Sequence, residues 1–333
     1  MPELRRDPLS GIWTIMAEER SARPNDYSRR GESGDAVKTC PFCPGNEAQT
    51  PPEIDSVRRD PGGPWQVRVF ANKYPALLAA QGEASVTMLP STPLETRAPA
   101  YGAHEVVITT PHHRDRTCDM SVDELDAVLA LCQYRVRALL GRGGIQHVLL
   151  MENYGPRAGA SREHAHLQLL AAPVVLPYLA AKVQSFADYE ERHEACILCE
   201  EAALEIASGE RIVQVDEHHV TYAAYASRLP YEMRVVPRLH QRSFVDMASG
   251  ERRRLASHLR GALRRLDGAA NDPPYNWVLV TAPADVEKAF HWHIEILPRL
   301  TISAGFEWGA GAFINPLPPE KAAEALRRID VQG

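Results

Sequence analysis

The chain has 333 residues, of which 44% are hydrophobic and 24% charged, proportions typical of a globular protein with one large domain or two ordinary ones. Its formal net charge of −6 excludes the global basic field that would recruit nucleic acid. The chain starts without an apolar signal-peptide segment, and no stretch is long and apolar enough to cross a membrane. We therefore expect a cytoplasmic protein that does not interact with membranes.

The first half contains predicted strands and one predicted helix. Strands are expected at 11–16, 66–72, 105–113 and 146–153. Ser121 with Glu124 three residues later forms a capping box, and apolar residues continue at helical spacing until Gly141. These signals predict a helix between the third and fourth strands.

A glycine-bearing turn after Asn153 leads into the alternating polar residues His164, His166 and Gln168. Alternation with period two predicts a strand with all three side chains on one face. Two imidazoles and an amide beside a turn rich in backbone N–H groups suit an anionic ligand such as a phosphate. A single His-x-His is also compatible with an ordinary surface strand, so the choice between a ligand site and a surface strand depends on the rest of the chain.

The second half repeats the order of the first. A Cys-x-x-Cys pair, a strand, a proline-ended strand, a helix near 250–266 and an apolar strand recur in sequence before a second His-x-His. The interval from His113 to His164 is 51 residues, as is the interval from His240 to His291. We infer two copies of one unit, with a boundary near 173–190, and assign residues 1–175 to the first half and 176–333 to the second.

The repeat indicates that the cysteine pairs are metal sites. In a reducing cytosol such pairs bind metal or serve redox chemistry, and recurrence with two histidines favours zinc over a thioredoxin-like motif. Four protein ligands leave no open position, so two structural zinc ions per chain are expected. His112 is an alternative ligand, but the matching intervals from glutamate to histidine in the two halves select its neighbour. The predicted ligands are Cys40, Cys43, His113 and His164 in the first half and Cys196, Cys199, His240 and His291 in the second.

If zinc holds His164, the metal positions His166 without binding it. A neutral imidazole is a competent nucleophile toward phosphorus when a hydrogen bond fixes its tautomer. Gln168 would donate its amide N–H to the phosphoryl oxygens. In the second half Glu295 stands at the position of Gln168 and would repel a phosphate, so that half is predicted to be non-catalytic. No function is assigned to His104.

The motif Glu152-Asn153-Tyr-Gly155, Gly159-Ala-Ser161 and His164-Ala-His166-Leu-Gln168 resembles that of galactose-1-phosphate uridylyltransferases and their relative ADP-glucose phosphorylase, in the histidine-triad superfamily. The resemblance covers nearly the whole chain. It implies an α+β fold of two tandem histidine-triad-like halves, each an antiparallel sheet with helices, and a homodimer. It also implies that His166 attacks the α-phosphorus of a nucleotide sugar and carries the nucleotide to a second sugar 1-phosphate.

Further site residues follow from the resemblance only. Those implied to contact the substrates are Arg20, Arg23, Phe70, Asn72, Asn153, Gly159, Ala160, Ser161, Gln168, Phe306 and Glu307. Two departures leave the mechanism unchanged but bear on the base and the sugar. Ala165 replaces the common proline between the histidines, and Lys73 stands where an acidic residue is frequent.

The sequence thus predicts a nucleotidyltransferase that moves a nucleoside monophosphate, UMP in the first interpretation, between sugar 1-phosphates by a ping-pong mechanism through His166. This is the reaction of UDP-glucose–hexose-1-phosphate uridylyltransferase. One alternative uses the same site to pass the nucleotide to inorganic phosphate, as ADP-glucose phosphorylase does. Another is a zinc-stapled binding module, although the basic face expected for nucleic acid is missing.

Overall fold

The computed structural model describes residues 2–6, 8, 13–17, 40–79, 89–92, 94–286 and 290–331. The strands in these ranges are β1 Glu3–Arg6, β2 Trp13–Met16, β3 Glu53–Arg58, β4 Trp65–Ala71, β5 Leu89–Thr92, β6 Glu95–Pro99, β7 Ala103–Ile108, β8 His147–Tyr154, β9 His166–Ala172, β10 Ile212–Val215, β11 His219–Tyr222, β12 Met233–Pro237, β13 Tyr275–Val280 and β14 His293–Pro298. The helices are α1 Val122–Leu140, α2 Pro177–His193, α3 Ile197–Ser208, α4 Ser249–Ala270, α5 Gly305–Ala310 and α6 Pro319–Arg327. None of the described helices is both long and apolar enough to cross a membrane.

Ten strands form one antiparallel sheet in the order β10-β11-β12-β14-β13-β8-β9-β7-β4-β3. Each half of the chain contributes five of them, and the two sets mirror each other about the β8–β13 pair. Across this seam Asn153 pairs with Asn276 and Leu150 with Leu279. The α+β prediction is confirmed, and the antiparallel strands of the two halves join in one continuous sheet. The strands β2-β1-β6-β5 form a separate sheet. Leu4 of this sheet packs in a small apolar cluster with Leu77 and with Ala172 of β9.

Helices α1 and α4 pack side by side against one face of the large sheet. At the start of α1 the Ser121 hydroxyl accepts the N–H of Glu124 at 3.2 Å, and the Glu124 carboxylate accepts the N–H of Ser121 at 2.8 Å. The predicted capping box is therefore present. The salt bridge between Arg252 and Asp126 joins the two helices at 2.8 Å. The core between these helices and the sheet includes residues of both halves of the chain. His166 and Gln168 alternate with the core residues Leu167 and Leu169, so their side chains lie on the opposite face of the sheet.

Three predicted element boundaries differ from the structure. Strand β7 ends at Ile108 and β9 begins at His166, so the segments that carry His113 and His164 lie outside the sheet. Helix α4 ends at Ala270, beyond the predicted end near residue 266. A Cβ at Gly268 would lie 2.7 Å from the Ile329 side chain, so this glycine permits close packing within the helix.

Glu152 is buried at the seam between the halves. Its carboxylate accepts hydrogen bonds from Thr117 Oγ1 at 2.7 Å, Trp277 Nε1 at 2.6 Å and the Tyr275 hydroxyl at 3.3 Å. Burial opposes the ionised form more strongly than these neutral donors favour it, and the pKa of Glu152 rises to about 7. The buried carboxyl is therefore expected to make folding depend on pH near neutrality.

The pKa of Glu152 in the folded protein lies above the value of 4.5 for an ordinary glutamate. Its contribution to stability is thus fully present below pH 4.5 and is lost as the pH rises through 7. We expect Glu152 to lower the free energy of unfolding by roughly 3 kcal/mol across this interval. Urea unfolding of the wild type and Glu152→Gln between pH 5 and 8 measures the effect. The free energy of unfolding of the variant should depend less on pH than that of the wild type. The same dependence on pH in both proteins would contradict the raised pKa of Glu152.

Candidate active site and metal sites

The first predicted ligand set is brought together at one end of the sheet. Cys43 Sγ lies 3.3 Å from His113 Nδ1 and 3.6 Å from His164 Nδ1, and Cys40 Sγ lies 3.7 Å from His164 Nδ1. The Cys43 N–H donates to the Cys40 carbonyl at 3.2 Å, which closes the turn that aims both thiols inward. His164 Nε2–H donates to the Thr110 carbonyl at 2.8 Å, so Nδ1 faces the thiols without a proton.

The second set is arranged in the same way. Cys199 Sγ lies 3.5 Å from His240 Nδ1 and 3.3 Å from His291 Nδ1, and Cys196 Sγ lies 4.0 Å from His291 Nδ1. Unlike the first pair, the second pair lies at the start of a helix: Cys196 occupies the N-cap position of the 12-residue helix α3, without a capping hydrogen bond from its side chain. No strand leads into it, because helix α2 ends directly before the pair.

The donor sets fit a tetrahedral metal ion such as zinc. Bonds of about 2.3 Å to sulfur and about 2.0–2.1 Å to nitrogen at tetrahedral angles would separate the two ligand atoms by about 3.6 Å. The ligand atoms of each set lie within 4.8 Å of one another. Burial lowers the pKa of His164 to about 4, which keeps its imidazole neutral as a metal ligand requires.

A third group of possible ligands, Asp216, His219 and His258, is present among the described residues. His258 Nδ1 lies 2.7 Å from Asp216 Oδ2, and its Nε2 lies 2.9 Å from Thr221 Oγ1. Since both imidazole nitrogens of His258 are already hydrogen-bonded, we assign no metal to this group.

His166 is buried at the start of β9, and its tautomer is defined by the backbone. Nδ1–H donates to the carbonyl oxygen of His164 at 2.9 Å, so Nε2 is the nitrogen that carries the lone pair. The ring of Phe42 packs edge-on against the imidazole at a centroid distance of 5.3 Å. The same residue that supplies a metal ligand therefore also orients the neighbouring imidazole.

Gln168 lies on the same face, two residues further along β9. Its Oε1 is 2.9 Å from Nε2 of His104 on β7, and Asn72 Nδ2 is 3.0 Å from the same nitrogen. The side chain of Phe70 is buried nearby against Phe42, at a centroid distance of 5.7 Å. His104 has no assigned function from the sequence because its counterpart in the repeat is Tyr231, a different residue type, so the repeat does not mark it.

The glycine turn is built around a 3₁₀ turn, Pro156–Ala158. Gly155 adopts φ +79°, and a Cβ there would lie 2.9 Å from Pro274 Cβ, so glycine is required. The N–H groups of Gly159 and Ala160 donate within the turn, at 3.0 Å to Pro156 O and 3.2 Å to Gly155 O. The turn was expected to offer free N–H groups to an anion, but these two are engaged within the turn itself. Ser161, which follows the turn, is buried.

Asn153, at the end of β8, is held by a residue of the second half. Asn276 Nδ2 donates to Asn153 Oδ1 at 2.7 Å and to the Ala158 carbonyl at 2.8 Å. The Asn153 amide is thus fixed with its nitrogen directed away from Asn276. Only the pairing of β8 with β13 reveals Asn276, and no motif in the sequence marks it.

The counterpart of His166 in the second half is His293. Its Nδ1–H donates to the carbonyl of His291 at 3.1 Å, the same arrangement as in the first half. However, Lys182 Nζ lies 3.0 Å from His293 Nε2 and occupies the lone pair that an attacking imidazole would use. Burial and the charge of Lys182 hold the pKa of His293 well below its usual range.

Glu295, which replaces Gln168, is part of the same cluster. Its carboxylate lies 2.6 Å from Lys182 Nζ and 3.3 Å from Arg228 Nη2. Burial opposes ionisation of Glu295, but the two cations prevail and lower its pKa to about 2. The second half was expected to repel a phosphate through Glu295, but the charge of this carboxylate is neutralised by Lys182 and Arg228. Lys182 also blocks Nε2 of His293, which is the second difference from the face that carries His166.

The remaining predicted contacts lie elsewhere. Phe306 and Glu307 belong to the short helix α5, where the Phe306 side chain is exposed. Within the described part of the chain, Glu307 accepts hydrogen bonds from the backbone of Ala304 and Ile314 in its own segment. Arg20 and Arg23 lie outside the described residues.

Comparison with known proteins covers the whole chain. The family model for the galactose-1-phosphate uridyl transferase N-terminal domain matches residues 1–176, and that for the C-terminal domain matches 182–330. The ADP-glucose phosphorylase of Arabidopsis thaliana is 31% identical, with 99% of this chain and 93% of that protein covered. The galactose-1-phosphate uridylyltransferase of Thermotoga maritima is 28% identical, and both chains are covered in full.

Solved structures give the same picture. The crystal structure of the Arabidopsis thaliana ADP-glucose phosphorylase with bound ADP-glucose superposes with a TM-score of 0.79 at 31% identity, covering 100% of both chains. A uridylyltransferase structure superposes with a TM-score of 0.81 at 25% identity over 98% of this chain and 97% of that chain. The resemblance inferred from the motifs is thereby confirmed. The chain belongs to the galactose-1-phosphate uridyl transferase family.

Proposed function

We propose that the protein transfers a nucleoside monophosphate between sugar 1-phosphates through a covalent nucleotidyl-His166. The hydrogen bond from His166 Nδ1 to the His164 carbonyl carries this proposal, since it makes Nε2 the nucleophilic nitrogen. The family membership supports the same reaction class, as does the similarity to an ADP-glucose phosphorylase and a galactose-1-phosphate uridylyltransferase over at least 93% of each relative's length. Residues 1–175 would be the catalytic half and 176–333 the non-catalytic half.

In the first step Nε2 attacks the α-phosphorus of the nucleotide sugar. A P–N bond forms, the bond from the α-phosphorus to the bridging oxygen breaks, and the sugar 1-phosphate leaves with that oxygen. In the second step a phosphate oxygen of another sugar 1-phosphate attacks the α-phosphorus, and the P–N bond breaks. The Gln168 amide N–H would stabilise the charge that develops on the phosphoryl oxygens.

Zinc is the metal that both Cys2His2 sets fit, and each set closes the coordination shell with protein ligands. The ions would act as structural staples and would supply no open position to a substrate. Zinc on Nδ1 of His164 would fix the segment whose carbonyl orients His166. Four thiol ligands of this kind favour a reducing compartment, and we therefore propose a cytoplasmic location.

We further propose a homodimer. Among the residues that the structure describes, large apolar side chains near helix α5 are exposed, with Ile302 at 80% and Trp308 at 82% of their free surface. An exposed apolar segment of this size is typical of a protein contact surface. The other exposed members are Phe306, Phe313 and Ile314.

The second candidate passes the nucleotide to inorganic phosphate. The 31% identity to an ADP-glucose phosphorylase, and the structure of that enzyme with ADP-glucose bound, favour it over other same-site reactions. UDP-glucose, ADP-glucose and GDP-glucose, each incubated with galactose 1-phosphate or with inorganic phosphate, separate the two. A new nucleotide sugar from the first acceptor supports the transferase, and a nucleoside diphosphate from phosphate supports the phosphorylase.

A further inference from the structure

We propose that His104 is the positioning residue that orients the Gln168 amide toward the transferred phosphoryl group. This inference deepens the proposed function and rests on it. His104 lies on β7, is buried, and directs Nε2 at Gln168 Oε1 over 2.9 Å. Strand register explains the meeting, because Val106 of β7 pairs with Gln168, and His104 points to the same face two residues earlier.

The tautomer of His104 follows from an obligate donor. The backbone N–H of Ala76 donates to His104 Nδ1 at 3.1 Å, and a backbone amide nitrogen cannot accept. Nδ1 is therefore unprotonated, and the neutral imidazole carries its proton on Nε2. The atom that faces Gln168 Oε1 is consequently a hydrogen-bond donor.

Asn72 is the second neighbour of this nitrogen and does not compete for its proton. Asn72 Oδ1 accepts the N–H of Tyr74 at 2.9 Å, which leaves Nδ2 as the atom 3.0 Å from His104 Nε2. An amide nitrogen is only a donor, so it cannot receive the imidazole proton, and its approach to Nε2 is a contact between two donors and not a hydrogen bond. The acceptor for that proton is Gln168 Oε1.

The consequence for Gln168 is directional. An amide presents a carbonyl on one side and an NH₂ group on the other, and the two are nearly equal in shape. With Oε1 held by His104, Nε2 of Gln168 is the end presented to the substrate face beside His166. A flipped amide would direct a carbonyl oxygen at the phosphoryl oxygens and would repel them instead of stabilising them.

The second half supports this assignment by contrast. The position of Gln168 is taken by Glu295, which is held by the cations Lys182 and Arg228. A carboxylate needs a positive partner, whereas an amide whose direction matters needs a neutral donor at its oxygen. Each half thus supplies the partner that its own residue requires.

The test is a double-mutant cycle read as the single-turnover rate constant for nucleotidyl transfer to the protein, with UDP-glucose and ADP-glucose assayed side by side. His104→Phe keeps a ring but removes the donor, and should lower the rate constant by about 10- to 100-fold. The nucleotide-sugar concentration for half-saturation should change by less than about threefold, because ground-state binding is retained. His104→Gln, which restores an N–H near the position of Nε2, should recover most of the loss.

In a Gln168→Ala background, His104→Phe should cost less than about twofold more, because the partner through which it acts is missing. The matched control is His147→Phe, a buried histidine on β8 that should leave the rate constant unchanged. Equal losses in both backgrounds, or no loss in His104→Phe, would overturn the positioning role. If the wild-type protein forms no nucleotidyl adduct with either nucleotide sugar, the proposed function itself would be overturned.

A measurement on the unmodified protein covers the case in which His104→Phe does not fold. Nitrogen-15 chemical shifts of the imidazole distinguish a protonated from an unprotonated ring nitrogen. His104 should carry its proton on Nε2, with Nδ1 as acceptor. A proton on Nδ1 would overturn the inference without any variant.

Discussion

Replacing His166 with alanine should lower the rate of nucleotide transfer between sugar 1-phosphates by roughly four orders of magnitude or more. The imidazole is the group that would bond to the α-phosphorus. Its Nδ1–H is held by the His164 carbonyl at 2.9 Å, so the loss removes an aligned lone pair and not merely a contact. The rate is measured as exchange of labelled sugar 1-phosphate into the nucleotide sugar.

The matched control is His293→Ala, the same substitution in the second half. Because Lys182 occupies Nε2 of His293 at 3.0 Å, this variant should keep the wild-type exchange rate per folded molecule. A His166→Ala protein that retained more than about a tenth of the activity would contradict nucleophilic catalysis at this residue.

Loss of either metal set should unfold or strongly destabilise the protein, but only the first set should also change the chemistry. Binding energy at a closed zinc site is folding energy, commonly about 10 kcal/mol or more, so Cys43→Ser and Cys199→Ser should each lower the thermal midpoint sharply. Cys43 faces both histidines of its set, and His164 in turn orients His166. Cys43→Ser should therefore lower transfer by the molecules that remain folded, and Cys199→Ser should not.

Metal content and activity per folded molecule are the two readouts. The wild type should contain about two zinc ions per chain and each variant about one. Cys132→Ala, a buried cysteine in the core away from both sets, should keep both ions. A wild-type content well below two, or equal loss of chemistry in both ligand variants, would refute the separation of roles.

Spacing along the chain was sufficient to predict which side chains could meet. The equal intervals from His113 to His164 and from His240 to His291 indicated the two Cys2His2 sets, and the structure places the donor atoms of each set within 4.8 Å. The capping box at Ser121 is local chemistry and was also predictable. Such features depend on short stretches or on repetition, both of which are visible in a sequence.

Features that depend on strand register or docking could not be predicted. His104 meets Gln168 only because β7 and β9 pair in one particular register. Lys182 reaches His293 because helix α2 packs over the second half, and Asn276 reaches Asn153 across the seam between the halves. Each is a long-range contact without a local pattern, so the partners of the predicted residues emerged only from the fold.

The covalent intermediate is the most direct test of the proposed chemistry. After incubation with ADP-glucose or UDP-glucose, denaturing mass spectrometry should show the mass of one nucleoside monophosphate added per chain. The adduct should be acid-labile, as expected for a phosphoramidate, and peptide mapping should place it on His166. Absence of any adduct under conditions in which the wild type turns over, or an adduct on another residue, would contradict transfer through His166.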